Sequence, residues 1–98
     1  MIDISILVLK NAVAASIADA GYVFKIVNEL LEKSDKEPLF RVRLVGLSKE
    51  VKLNGGLFHI TTDALIDEVE HTNLVIIPSM TGDAVGGSYI NREFAPWI

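Results

Sequence analysis

The chain has 98 residues, half of them hydrophobic, and no cysteine. This length allows one domain at most, and the lack of cysteine excludes a disulfide scaffold, a thiolate metal site and a cysteine nucleophile within these residues. The net charge of −4, with nine basic residues scattered among thirteen acidic ones, argues against direct contact with nucleic acid. No apolar run approaches the roughly 20 residues of a membrane span. Without a recognisable leader, the sequence predicts a cytoplasmic protein with no membrane contact.

The first predicted element is a buried strand at residues 4–9, where only Ser5 is polar. A continuous apolar run of this length is typical of a parallel strand covered on both faces. Asp3 is placed just before this strand. Lys10 and Asn11 follow it, so the strand lacks the acidic cluster that a phosphoacceptor site would need.

A helix is predicted from about residue 16 to residue 33, with Ser16 and Asp19 forming an approximate capping box. Gly21 in mid-helix costs about 1 kcal/mol relative to Ala, and close contact with the sheet is the expected reason for its presence. An apolar stripe at helical spacing should face the core. Its members are Ile17, Ala20, Phe24, Val27 and Leu31, widened by Val23, Ile26 and Leu30.

Residues 39–47 alternate between apolar and polar side chains, which suits a strand nearer the sheet edge. Arg41 and Arg43 share one face of it and are interpreted as a solvated surface. The Asn54-Gly55-Gly56 turn between two short apolar runs predicts a β-hairpin over residues 51–60. A short helical turn is expected at residues 62–66, then a second buried strand at residues 74–78.

The end of the chain predicts an amphipathic helix at residues 91–98, whose apolar stripe is Phe94, Trp97 and Ile98. This stripe needs a partner to pack against, so the chain is interpreted as the front half of a larger α/β domain. Right-handed crossovers pair the first strand with both later parallel strands. The expected fold is α/β, the incomplete front of a flavodoxin-like, doubly wound parallel sheet with a β-hairpin insertion.

Ligands in open α/β sheets bind outside the carboxyl ends of the strands. Here those ends carry Asn11 after the first strand and Ser79, Met80, Thr81 and Gly82 after the second buried strand. These five residues are the predicted ligand-binding site, and an ordinary strand-to-helix loop is the alternative. The loop provides hydroxyl groups and backbone N–H groups, so a small molecule is the expected ligand.

No cofactor or metal is predicted. The glycines near the end of the chain lack the G-x-G-x-x-G spacing of a phosphate-binding loop. His59 and His71 are the only imidazoles, and neither has a second ligand at metal spacing. Both are expected on the surface.

With the strands and loops placed, the chain resembles the N-terminal half of the class I glutamine-amidotransferase-like fold. Within that fold it most resembles the PfpI-type domain at the front of AraC-type transcription regulators. The likeness extends over residues 1–98. It rests on residues 4–9, residues 15–18 with Val23, Phe24 and Asn28, residues 40–45, the Gly55-Gly56-Leu57 run leading to residues 74–78, and the closing Asn91-Arg92 and Pro96-Trp97-Ile98.

The resemblance implies a catalytic Glu after the first strand, but Ser16 or a neighbouring alanine stands there. It also implies Pro-Gly-Gly at the end of the second buried strand, where this chain has Pro78-Ser79-Met80. The chain is therefore expected to be non-catalytic: part of an effector-sensing, oligomerising domain whose regulator binds DNA through another domain. The alternatives are a fragment of a PfpI-type enzyme (hydrolase, hydratase or deglycase) with its cysteine nucleophile beyond residue 98, or a stand-alone interaction module.

Overall fold

The structure is a computed structural model that describes residues 1–81. The elements, in chain order, are β1 (Ile2–Leu7), α1 (Ala14–Lys33), β2 (Phe40–Gly46), β3 (Glu50–Leu53), β4 (Phe58–Thr61), β5 (Ala64–Leu65), a short 3-10 helix (Ile66–Glu68) and β6 (Leu74–Ile76). The helix predicted at residues 91–98 lies outside the described residues. Among the described helices, none combines the length and hydropathy that a membrane span requires.

Four strands form a parallel sheet in the order β5-β2-β1-β6, and β3 pairs with β4 as a separate antiparallel hairpin. The central position of β1 confirms the predicted pairing of the first strand with both later strands. The α/β class, with a parallel sheet and a hairpin insertion, is likewise confirmed. Parallel strands end at the same side of a sheet, so the loops that follow β1 and β6 meet.

The core is built around β1, whose Ile4, Ile6 and Leu7 are at most 1% exposed. The strand begins and ends two residues earlier than predicted. It begins earlier because the Ile2 N–H donates to the Leu39 carbonyl at 2.8 Å. It ends earlier because the chain turns after the strand, where the Ala12 N–H donates to the Leu9 carbonyl at 3.2 Å. The buried apolar run therefore continues past the strand into the loop.

Helix α1 packs on one face of β1 and β2, with Ile17 3% exposed. Phe24 contacts Phe40 of β2 edge-to-face, with ring centroids 5.0 Å apart. The predicted widening of the apolar stripe was wrong for three residues, which are 50–59% exposed: Val23, Ile26 and Leu30. These side chains lie too far around the helix to reach the sheet.

The hairpin follows the sequence prediction closely. Its turn has positive φ at Asn54, Gly55 and Gly56, the backbone conformation that Asn-Gly sequences favour. Leu53 of β3 is fully buried, so the hairpin contributes to the core. A Cβ placed on Gly46, at the end of β2, would lie 2.7 Å from Thr62 Cγ2. This close approach explains why glycine ends the strand.

The predicted helical turn at residues 62–66 was wrong. Ala64 and Leu65 instead form β5, parallel to the end of β2, and the helical turn begins only at Ile66. The segment is drawn to β2 because Asp63 exchanges two hydrogen bonds with Leu44. The Asp63 N–H donates to the Leu44 carbonyl at 2.7 Å, and the Leu44 N–H donates to Asp63 Oδ2 at 2.8 Å.

Candidate functional site

The loops after β1 and β6 cross at the carboxyl end of the sheet, and here the structure brings the predicted site residues together. The Thr81 N–H donates to the Asn11 carbonyl at 2.8 Å, and Asn11 Nδ2 returns a bond to the Thr81 carbonyl at 2.8 Å. Thr81 Oγ1 also donates to the Asn11 carbonyl, at 3.1 Å. Ala12 and Met80 form an antiparallel bridge. We call this paired region, residues 11–13 with 79–81, the loop junction.

Ser16 fixes the loop junction to helix α1. Its hydroxyl donates to the Val13 carbonyl at 2.7 Å and accepts the Ser79 N–H at 3.1 Å. The predicted capping box was therefore wrong, because α1 begins at Ala14 with Val13 as a cap that makes no side-chain hydrogen bond. Ser16 already lies inside the first turn. Its hydroxyl serves the connection between two loops and the helix.

The polar groups of the loop junction are largely used within it. The Val13 N–H donates to the Ser79 carbonyl at 2.8 Å, while the Ser79 N–H is occupied by Ser16. An oxyanion hole requires N–H groups aimed at an open position, and the Ser79 N–H does not meet that condition. Ser79, Met80 and Thr81 are nevertheless exposed. Ligand binding at Asn11 and residues 79–81 stays a prediction, and Gly82 lies outside the described residues.

Both histidines are exposed, as expected, and both lie away from the loop junction. His59 is held inside the hairpin, with Nδ1 3.1 Å from Glu50 Oε1 and Nε2 3.0 Å from the Gly56 carbonyl. His71 precedes β6, whereas Ser79 follows it, so the two lie at opposite ends of the strand. Over residues 1–81, no group of three or more His, Asp or Glu side chains could hold a metal ion.

A charged cluster lies at the other end of the sheet, and sequence reasoning missed it. Asp3 was expected to precede β1 but is the strand's second residue and only 7% exposed. Arg41 of β2 lies opposite it in the register, and Arg41 Nε donates to Asp3 Oδ1 at 2.6 Å. The hydrogen bond from Arg41 holds the pKa of Asp3 below its ordinary value. Asp3 raises the pKa of Arg41 in turn, chiefly through the same hydrogen bond.

Arg43 joins this cluster and is only partly exposed, so the predicted solvated face holds for Arg41 and was wrong for Arg43. Arg43 Nη2 donates to the His71 carbonyl at 2.8 Å, while its Nε is buried without a partner among the described residues. A cavity of about 230 Å³ lies between the two arginines, Asp3, His71, Glu68 and Glu70. Side chains alternate between the two faces of a sheet, so the pairing of β1 with β2 puts residues 3, 5, 41 and 43 on one face. This alternation was the sequence signal that could have located the cluster.

An apolar groove of about 450 Å³ lies between α1 and β2. Its lining residues are Ile17, Ala18, Gly21, Tyr22, Lys25, Asn28, Phe40, Val42 and Leu44. Gly21 does not contact the sheet, contrary to prediction: a Cβ added there would meet nothing within 4 Å. The glycine therefore borders open groove. We call this cavity the α1–β2 groove.

Comparisons with known proteins fix the fold and leave the activity open. Neither a protein-family model nor a curated protein matches the sequence. Among solved structures, oxidized DJ-1 from Toxoplasma gondii matches with a TM-score of 0.53 and 15% identity, over 98% of this chain and 51% of the DJ-1 chain. The four-stranded parallel sheet and the hairpin thus correspond to half of a DJ-1 fold. The chain spans about half the length of that protein.

Proposed function

We propose that this chain is the N-terminal portion of an effector-sensing and dimerisation domain of an AraC-type transcription regulator, and that it has no catalytic activity of its own. The observation that carries the proposal is the loop junction. There, Ser16 stands at or beside the position where the family's enzymes have a catalytic Glu, and it binds the Ser79 N–H. The resemblance implies that the enzymes have an acidic residue at that position and use a backbone N–H of the loop after this strand in an oxyanion hole. Here both are used to hold two loops together.

Nucleophilic catalysis requires an activated nucleophile with a base in hydrogen-bond reach. The hydroxyl groups of Ser79 and Thr81 are the candidates beside the loop junction. His59 is bonded within the hairpin, and His71 lies at the opposite end of β6. The described residues therefore bring no imidazole to these hydroxyls, which supports a binding role over a hydrolytic one.

The second candidate is a fragment of a PfpI-type enzyme whose cysteine nucleophile lies beyond residue 98. The likeness to DJ-1 favours it, because the match covers only half of the DJ-1 chain. The gene distinguishes the two candidates. A cysteine on a strand–turn–helix elbow followed by a histidine would favour the enzyme. A helix-turn-helix module would favour the regulator, and a stop codon after residue 98 would favour a stand-alone interaction module.

Turnover assays test the absence of catalysis directly. The purified chain is incubated with glyoxal adducts, peptides and glutamine, beside a protein-free control and the Ser79→Ala variant. We expect rates equal to the control with all three substrates. Turnover that the Ser79→Ala substitution abolishes would overturn the non-catalytic proposal.

DNA binding is assigned to a domain outside this chain, because the described surface provides no free basic cluster. Arg41 is paired with Asp3 and Arg43 with the His71 carbonyl, so neither is available to release counterions from phosphates. A gel-shift assay with random duplex at low salt should show negligible binding. Tight binding with a steep salt dependence would contradict this assignment.

Dimerisation is proposed through the outer edge of β6. Apolar side chains border that edge: Leu74 is 45% exposed and Ile77, just after the strand, is 51% exposed. Exposed apolar surface beside an open strand is a template for another chain. Sedimentation at micromolar concentration should show at least a dimer, which Ile77→Lys weakens. The matched control is Leu57→Lys, at a 73% exposed position in the hairpin, which should leave assembly unchanged.

A further inference from the structure

We propose that the α1–β2 groove is the effector site, and that it binds a small apolar molecule carrying one carboxylate. The proposal deepens the sensing role proposed above and rests on it. It moves the ligand from the loop junction, where the polar groups are bonded to one another, to a cavity of about 450 Å³. That volume lies within the range of about 300–1,000 Å³ found for small-molecule sites.

The chemistry of the groove selects the ligand class. Its floor is formed by apolar side chains of β2, of which Phe40 packs edge-to-face against Phe24 of α1. Lys25 is the only lining residue with a full charge at neutral pH, and it takes part in no ion pair of the described residues. An apolar cavity bordered by one cation favours an apolar anion. The Asn28 amide is bonded to the backbone of residues 39 and 40 through Oδ1 and one Nδ2–H, so it offers a ligand at most one further N–H.

Side-chain hydrogen bonds to the backbone of β2 argue against a partner protein that adds a β-strand beside β2. Strand addition needs a row of free N–H and C=O groups along an edge. On β2 the outward-facing groups of Phe40 are bonded to Asn28, and those of Leu44 are bonded to Asp63. Between Phe40 and Leu44, only Val42 has outward-facing N–H and C=O groups that no described side chain bonds. One free pair is enough to bind a polar group of a small molecule and too little to align a strand.

Gly21 gives the site its opening. Glycine in mid-helix is unfavourable, and no neighbour within 4 Å requires it. The structural effect of the missing side chain is open space on the groove wall. Because an added Cβ meets no atom within 4 Å, we expect a larger side chain at this position to take up groove volume and block the groove without disrupting the fold.

The test uses phenylbutyrate as the probe and phenylbutanol as its neutral analogue. Binding is followed by amide chemical shifts in ¹⁵N-labelled wild-type chain and in four variants. Gly21→Leu blocks the groove, and Ala15→Leu is its control at an exposed position of the same helix outside the lining. Lys25→Gln removes the cation, and Lys33→Gln is its control at the exposed end of the helix.

We expect phenylbutyrate to shift the amides of Gly21, Lys25 and Val42 at millimolar concentration. Gly21→Leu should abolish these shifts while retaining a folded spectrum, and Ala15→Leu should retain them. Lys25→Gln should weaken phenylbutyrate binding about threefold, as expected for one exposed charge contact, and leave phenylbutanol binding unchanged. Lys33→Gln should bind both as the wild type does.

Three outcomes would overturn the proposal. They are unshifted groove amides in the wild type, unchanged binding by Gly21→Leu, and groove shifts that follow protein concentration alone, which would mean that a second copy occupies the groove. Failure here is separable from failure of the proposed function. Groove binding together with substrate turnover would keep the site and overturn the non-catalytic role. Absence of both binding and turnover would overturn the site alone.

Discussion

The two outer edges of the parallel sheet differ in how their backbone groups are satisfied. Along β2, the Asn28 amide bonds both backbone groups of Phe40, Asp63 bonds both of Leu44, and β5 pairs with the end of the strand. Along β6, the described residues provide no strand on the outer side. The flanking Leu74 and Ile77 are about half exposed.

This difference indicates at which edge of the sheet a further strand can pair. An edge capped by side chains of its own chain resists addition of another strand, whereas an uncapped apolar edge accepts one. The β2 edge ends the sheet, and the β6 edge is the place where further strands fit.

The largest expected effect comes from Gly46→Ala, which tests how the segment that covers β2 is held. The new Cβ would lie 2.7 Å from Thr62 Cγ2. Thr62 cannot rotate freely, because its hydroxyl donates to the Ser48 carbonyl at 2.9 Å. We expect a loss of about 1–3 kcal/mol in the free energy of unfolding, measured by urea denaturation.

The matched control for this change is Gly21→Ala, the same substitution where an added Cβ meets no atom within 4 Å. It should raise the free energy of unfolding by about 0.5–1 kcal/mol through helix propensity. Equal effects of the two substitutions would mean that Gly46 is not held in close contact with Thr62.

The next largest effect is expected from Asn28→Ala, which uncovers the beginning of β2. Asn28 makes three hydrogen bonds of 2.8–3.0 Å to the backbone of residues 39 and 40. These backbone groups are only partly buried, so water replaces some of the lost hydrogen bonds. We therefore expect the free energy of unfolding to fall by about 1–2 kcal/mol. Hydrogen exchange at Phe40 should accelerate. The control Glu29→Ala, at the exposed neighbouring position, should change neither the free energy of unfolding nor the exchange rate at Phe40. Slow exchange at Phe40 in Asn28→Ala would show that the Asn28 side chain does not protect this strand.

The sequence predicted the strands that have strong local patterns and missed the elements that long-range contacts decide. The apolar run of β1 and the Asn-Gly turn were sufficient to place the central strand and the hairpin. Local pattern at residues 62–66 favoured a helical turn, but Asp63 bonds to Leu44, nineteen residues away, and makes the segment a strand. Ser16 had the residue type of a helix cap, but its hydroxyl donates to the Val13 carbonyl and accepts the N–H of Ser79 in the loop after β6.

The meeting of the two loops was predicted, whereas the bonds between them were not. The rule that loops meet at the carboxyl ends of parallel strands brought Asn11 to residues 79–81. No sequence pattern indicates that these groups bond to one another, because each bond depends on loop conformation. The Asp3–Arg41 pair was missed for a simpler reason: placing the start of β1 two residues late left Asp3 outside the strand, where its alignment with Arg41 is not visible.

The smallest effect is expected at that pair, which lies between the two edges. The Asp3 pKa is lowered in the folded chain, so the pair stabilises the fold fully above the ordinary aspartate pKa of about 3.9. This contribution is lost as the pH falls through the lowered folded-state value. The melting temperature of Asp3→Asn should therefore lie below that of the wild type near neutral pH. This gap in melting temperature should close on acidification. The Arg41 side chain is 60% exposed, so solvent and salt keep the gap small.

Arg41→Gln is the matched test, because it removes the same interaction from the other side. It should produce the same gap with the same closure in acid, and the double variant should add nothing further, as a thermodynamic cycle requires for two groups that act only through each other. The control Asp19→Asn removes an exposed carboxylate on α1 and leaves the pair intact. A difference in melting temperature that stays constant from neutral to acidic pH would show that the charge of Asp3 contributes nothing to stability.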